Sequence, residues 1–197
     1  MTANKIKRRI QAKGRGYVFT PADFLDLGSR AAVDQALSRL ADQKSIRRLA
    51  HGIYDYPKVS PRLGMLSPDM DAVARAIARK DRHVVQVSPA RAANLLGLTR
   101  QVPAKAVYLT DGPSRTRQIG RQTVIMRKAA AKNLVGAGQQ TGLVFQALRY
   151  LGKDGVDDAT VARIARVLDH KTRAALVRES LAAPGWMRPV AEKIAAA

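Results

Sequence analysis

Residues 17–56 read YVFTPADFLDLGSRAAVDQALSRLADQKSIRRLAHGIYDY, and the order of caps, apolar spacing and turns within them decides the fold. Tyr17, Val18 and Phe19 predict a short strand. Thr20 followed by Pro21 supplies an N-cap oxygen and a preset φ, and Asp23 adds negative charge to the first turn of a helix starting there. Phe24, Leu25 and Leu27 are its expected buried side, and Gly28 is expected to permit a sharp turn. Ser29 then caps a third helix running to about Gln43, with Val33, Ala36, Leu37 and Leu40 on one face. Ile46–Leu49 and Ile53–Tyr56 predict two strands joined around Ala50, His51 and Gly52. Ile46 and Leu49 fall on opposite faces of a regular strand, so a bulge or a partly exposed leucine is implied. Upstream, Ile6 and Ile10 lie one helical turn apart among Lys5, Lys7, Arg8, Arg9 and Lys13, which predicts a first helix with basic flanks. Helix, turn, helix and basic hairpin in this order read as a winged helix-turn-helix over residues 1–57.

The third helix has a second face fixed by geometry. A rotation of about 100° per residue puts Ala31, Gln35 and Ser38 opposite the apolar stripe, with Arg30, Asp34 and Arg39 beside them and Ser29 at the start. Such side chains suit a major groove: Gln35 an adenine edge, Ala31 a thymine methyl, Arg30 a guanine or a phosphate. Arg47, Arg48 and His51 on the hairpin are the expected phosphate contacts. An ordinary solvated helix face would carry the same residue types, and the adjoining basic hairpin is what favours a nucleic-acid surface.

Charge across the chain agrees with that surface. Thirty-five Lys and Arg against 15 Asp and Glu give a formal charge of +20 over 197 residues, which calls for a polyanionic partner. No apolar run is long enough for a membrane span, and Met1 to Lys13 is charged where an export signal would be apolar, so a cytoplasmic location without membrane association is expected. With no cysteine, disulfides and thiolate chemistry are excluded, and His51, His83 and His170 lack the spacing of metal ligands. Nucleotide-binding, zinc-hydrolase and serine-hydrolase signatures are missing as well, so neither catalytic residues nor a cofactor is expected.

Pro57, Ser60, Pro61 and Gly64 predict a linker to a second module spanning 65–197, a mixed α/β domain with a small sheet and a helical end, making the whole chain α+β. Ser67 with Pro68 is the expected start of a helix running to about Lys80, with Asp69 and Asp71 in its first turn as structural aspartates. Val84–Val87 predicts a buried strand, Ser88 and Pro89 start a helix carrying Ala92, Leu95 and Leu96, and Gly97 ends it in a left-handed conformation. After a strand at Val107–Thr110 and a turn at Asp111–Pro113, a loop holds Arg115, Arg117 and Arg121 before an apolar strand from Thr123 to Met126. With Arg127 and Lys128 these form a second basic patch that could meet DNA phosphates or RNA, or serve only as a solvated charged surface. Leu143, Leu148 and Leu151, then Val161, Ile164 and Leu168, then Leu176, Val177 and Leu181 predict packed helical stripes, with Trp186 anchoring the last segment.

Two segments carry a resemblance to a known family. GYVFTPADFLDLGSRAAVDQALSRL with IRRLAHGIYDYP, and VSPARAANLLGLTRQVPAKAVYLTDGPSR at 87–115, are similar to the AbiEi-type antitoxins of bacterial type IV toxin-antitoxin (abortive infection) systems. The second is the more specific, through AANLLGL, QVP, the VYLT strand and the Gly-Pro-Ser-Arg turn; from about Gln139 onward no motif matches. The resemblance implies a DNA-binding autorepressor of its own promoter that counteracts a nucleotidyltransferase-like toxin, by contact or only functionally. A basic RNA-binding or nonspecific DNA-binding protein without antitoxin activity is the alternative that charge alone leaves open.

Overall fold

Ile6 and Ile10 are both buried on α1 (Thr2–Lys13), the first helix of a computed structural model that describes residues 2–197. The protein is α+β, and it divides into two compact units, Met1–His83 with Thr116–Val124, and Val84–Arg115 with Ile125–Ala197.

In the first unit, β1 (Val18–Phe19), β2 (Arg47–Ala50) and β3 (Ile53–Asp55) form an antiparallel sheet in the order β1-β3-β2. Phe19 opposes Tyr54, with ring centroids 6.2 Å apart, and Phe24 meets Phe19 edge-on at 5.4 Å. These aromatics and the isoleucines of α1 close over Val33, Ala36, Leu37 and Leu40 of α2 (Arg30–Asp42). The register of β2 against β3 shifts between Arg48 and Ala50, the irregularity that the spacing of Ile46 and Leu49 implies.

The segment after Thr20 departs from expectation. It is a single 3-10 turn, Pro21–Phe24, rather than an α-helix. Three residues per turn bring Pro21 and Phe24 onto one buried side and leave Leu25 48% exposed. The turn is pinned by a capping box in which the Thr20 backbone N–H donates to Asp23 Oδ2 at 2.8 Å. Gly28 has no left-handed φ; its value is space, since a Cβ there would lie 3.1 Å from Thr2 Cγ2.

The expected linker is partly structured: β4 (Val59–Ser60) and β5 (Gly64–Met65) pair as a small hairpin. The following helix, α3 (Met70–Asp81), is capped by Asp69, whose carboxylate accepts from the Asp71 N–H at 2.9 Å, and not by Ser67. Arg79 of α3 donates to Asp23 at 3.1 Å and to the Val18 carbonyl at 3.0 Å. α3 therefore belongs with the first unit, and the division falls at His83 rather than in the stretch 58–64.

In the second unit β6 (Val85–Val87) pairs antiparallel with β7 (Ala106–Thr110). β6 is only partly buried, with Gln86 inside and Val84 44% exposed beside it. Ser88 caps α4 (Pro89–Leu95), and Gly97 takes φ 68° just after it. Arg115 and Arg117 lie on a strand, β8 (Arg115–Ile119), not in a loop; it turns at Gly120 and Arg121 into β9 (Gln122–Lys128), and Thr116–Val124 of this hairpin cluster with the first unit. The full strand order is β6-β7-β9-β8. Four helices complete the unit: α5 (Gln140–Leu151), α6 (Asp158–Val167), α7 (His170–Glu179) and α8 (Met187–Ala196). Leu148, Val161, Ile164, Leu168 and Leu176 are buried in one cluster, with Trp186 partly buried against it. Leu181 is 69% exposed, because α7 tightens to a 3-10 turn at Ser180–Ala182 and its helical period stops there.

Among the described residues no helix is long and apolar enough to cross a membrane, and no three His, Asp or Glu side chains gather where they could hold a metal ion.

Candidate nucleic-acid interface

The outer face of α2 is built from its N-terminus. Ser29, in an extended conformation, accepts the Ala32 N–H at 3.3 Å and so fixes where the helix begins. From that start, Val33, Ala36, Leu37 and Leu40 turn inward, while Ser29, Arg30, Ala31, Asp34, Gln35, Ser38 and Arg39 are all exposed. Six predicted residues thus share one accessible side of the helix, and Ser29 caps its start. Arg30 Nε donates to Asp34 at 2.8 Å, an exposed pair that offsets the one carboxylate among these seven residues. Ala31, Gln35 and Ser38 present no charge.

The β2–β3 hairpin contributes unequally. Arg48 and His51 are exposed, with Arg48 Nη2 3.4 Å from His51 Nδ1. Arg47 is engaged within the hairpin. Its guanidinium donates twice to Asp55, from Nε at 3.0 Å and Nη2 at 2.6 Å, and that carboxylate is 2% exposed. Arg47 is a cross-strand tie, since Arg47 and Asp55 oppose each other in the register. Losing it would strand a buried charge.

Arg115, Arg117, Arg121, Arg127 and Lys128 are all exposed along the β8–β9 hairpin. They do not form a patch of one unit: Arg117 and Arg121 cluster with the first, and Arg115, Arg127 and Lys128 with the second.

Lys44, which sequence reasoning passed over, follows the end of α2. The Lys44 N–H donates to the Ala41 carbonyl at 2.9 Å and the Ser45 N–H to the Leu40 carbonyl at 3.0 Å, a Schellman closure that puts Lys44 at φ 55°. Glycine or asparagine is the usual signal for that position, so a lysine gave no warning. Arg82 repeats the arrangement after α3 at φ 57°.

The chain aligns with the crystal structure of RV2827C protein from Mycobacterium tuberculosis at 14% identity and a TM-score of 0.45, over 99% of this chain and 76% of that one. No curated protein matches it. Residues 5–176 match the family described as "Family of unknown function (DUF6088)", and the chain belongs to that family.

Proposed function

We propose that the first unit is a winged helix-turn-helix that binds duplex DNA, with α2 in the major groove and the β2–β3 hairpin against the flanking backbone. The observation that carries this reading is the exposed face of α2. A rigidly capped helix, held by four buried apolar residues, offers uncharged Ala31, Gln35 and Ser38 at its centre and Arg30, Arg39 and Arg48 around them. Central uncharged groups suit base edges, and peripheral cations suit phosphates. The charge of +20 supplies affinity for any polyanion, so specificity has to come from that central face.

The protein acts on its own promoter as a repressor, in the cytoplasm, and neutralises a nucleotidyltransferase-like toxin. This part rests on the resemblance of residues 87–115 and of the first unit to AbiEi-type antitoxins. The test is a titration of the chain against its upstream promoter and a scrambled duplex at fixed salt. Promoter inverted repeats bind at least ~10³ tighter, the lower range for specific regulators. Equal affinity for both duplexes defeats the reading and leaves a nonspecific binder.

A further inference from the structure

A half-open groove of about 380 Å3 lies in the first unit between α1, the end of α2 and the β4–β5 hairpin. Lys7, Arg15 and Lys44 line it, and no carboxylate does. Arg15 is held in place: its Nη1 donates to the Pro57 carbonyl at 2.9 Å and its guanidinium lies 4.8 Å from the Tyr56 ring centre. Lys44 sits at φ 55°, a left-handed conformation that glycine adopts more readily.

The groove is also apolar. Its floor includes the buried Ile46, and its rim carries Val59 and Met65, which are 55% and 53% exposed. Leu63 at the turn of the same hairpin is 78% exposed. Past Lys44, Ile46 and Met65 lies a second hollow of about 450 Å3 that Asp42, Ser38 and Arg48 also line, so the lining free of carboxylates is confined to the first groove. Phosphates would account for the three cations but would leave Val59 and Met65 bare. A small organic acid would sit in a more enclosed cavity, since such ligands are mostly buried when bound. An extended chain with carboxylates and apolar side chains satisfies both features of the first groove.

From this we infer that the groove docks an acidic, apolar-studded segment of a partner protein. The first groove contains none of the residues proposed to contact DNA, although Ser38 and Arg48 line the hollow beside it, and its docking role does not depend on DNA recognition.

The test titrates the full chain with two fluorescein-labelled peptides, one alternating glutamate with leucine and one alternating glutamate with serine. The leucine peptide binds about tenfold tighter. Met65→Ser removes that advantage and leaves the serine peptide unchanged. Lys44→Gly weakens both peptides several-fold while the melting temperature holds or rises, so that loss cannot come from unfolding. Gln35→Ala changes neither peptide, which separates this outcome from the fate of the DNA reading. Equal affinity for the two peptides, or unchanged binding in Lys44→Gly, overturns the inference. So does a loss of duplex affinity in Met65→Ser matching any loss of peptide affinity, which would make the groove a nucleic-acid contact.

Discussion

Two adjacent arginines, Arg47 and Arg48, have opposite fates although the sequence presents them as equals. Strand alternation turns Arg47 toward Asp55 and Arg48 outward. Arg47→Ala is expected to cost about 3 kcal/mol in denaturant unfolding, because the Asp55 carboxylate loses its partner while buried. Arg48→Ala leaves unfolding unchanged, weakens all duplexes alike and reduces the salt slope by about one. Those two measurements separate a structural arginine from a phosphate contact. Gln35→Ala belongs to a third class: it relaxes sequence preference with little change in overall affinity, read by comparing promoter and scrambled duplexes. An unaltered preference would mean that α2 is oriented differently on the duplex. These side-chain assignments were half legible. Which side of α2 faces out follows from its spacing, but nothing in the pair Arg47–Arg48 discloses which one has a buried carboxylate across the strand.

At the scale of elements, α6 and α7 begin on Asp157 and Asp169, which accept the Thr160 and Thr172 N–H groups at 2.8 and 2.7 Å. Hydrogen bonds from those threonines hold both carboxyls below their ordinary range. Since the folded values lie below the unfolded ones, this stabilisation is complete above about pH 4 and is lost as pH falls through the folded values. Replacing both aspartates by alanine is expected to lower the melting temperature at neutral pH, and the gap to the unmodified chain should close in acid. A gap that persists at low pH would show that the caps contribute through packing. The long amphipathic helices were legible because Ile6 with Ile10, Val33 with Leu37 and Val161 with Ile164 recur at helical spacing. β8 was not, because Arg115, Thr116, Arg117 and Gln118 are all exposed and a strand without a buried face has no alternation to read. The 3-10 turn at Pro21–Phe24 was missed for a related reason: one turn is too short to distinguish a period of three from one of 3.6.

At the scale of the molecule, the chain clusters into two units whose division falls after His83, whereas the sequence reads as two modules joined at 58–64. Pro57, Pro61 and Gly64 look like a linker, yet α3, with Val73, Ala76 and Ile77 buried, clusters with the first unit and is tied to it by Arg79. Arg79 Nη2 reaches the Val18 carbonyl, a contact 61 residues away in the chain and invisible to local patterning. Coexpression with the product of the neighbouring gene tests the whole protein: relief of growth arrest is expected if that gene encodes a nucleotidyltransferase-like toxin. Continued arrest would remove the antitoxin role and leave the promoter-binding prediction standing.

The Arg47–Asp55 tie has a mechanical corollary. Two strands riveted by an ion pair whose carboxylate is buried resist splaying, so under the proposed DNA-binding role the hairpin would meet a double helix as a stiff prong. Any misfit between prong and backbone must then be absorbed by the nucleic acid, and steps that kink or compress easily beneath the hairpin would be favoured without a single base being touched there.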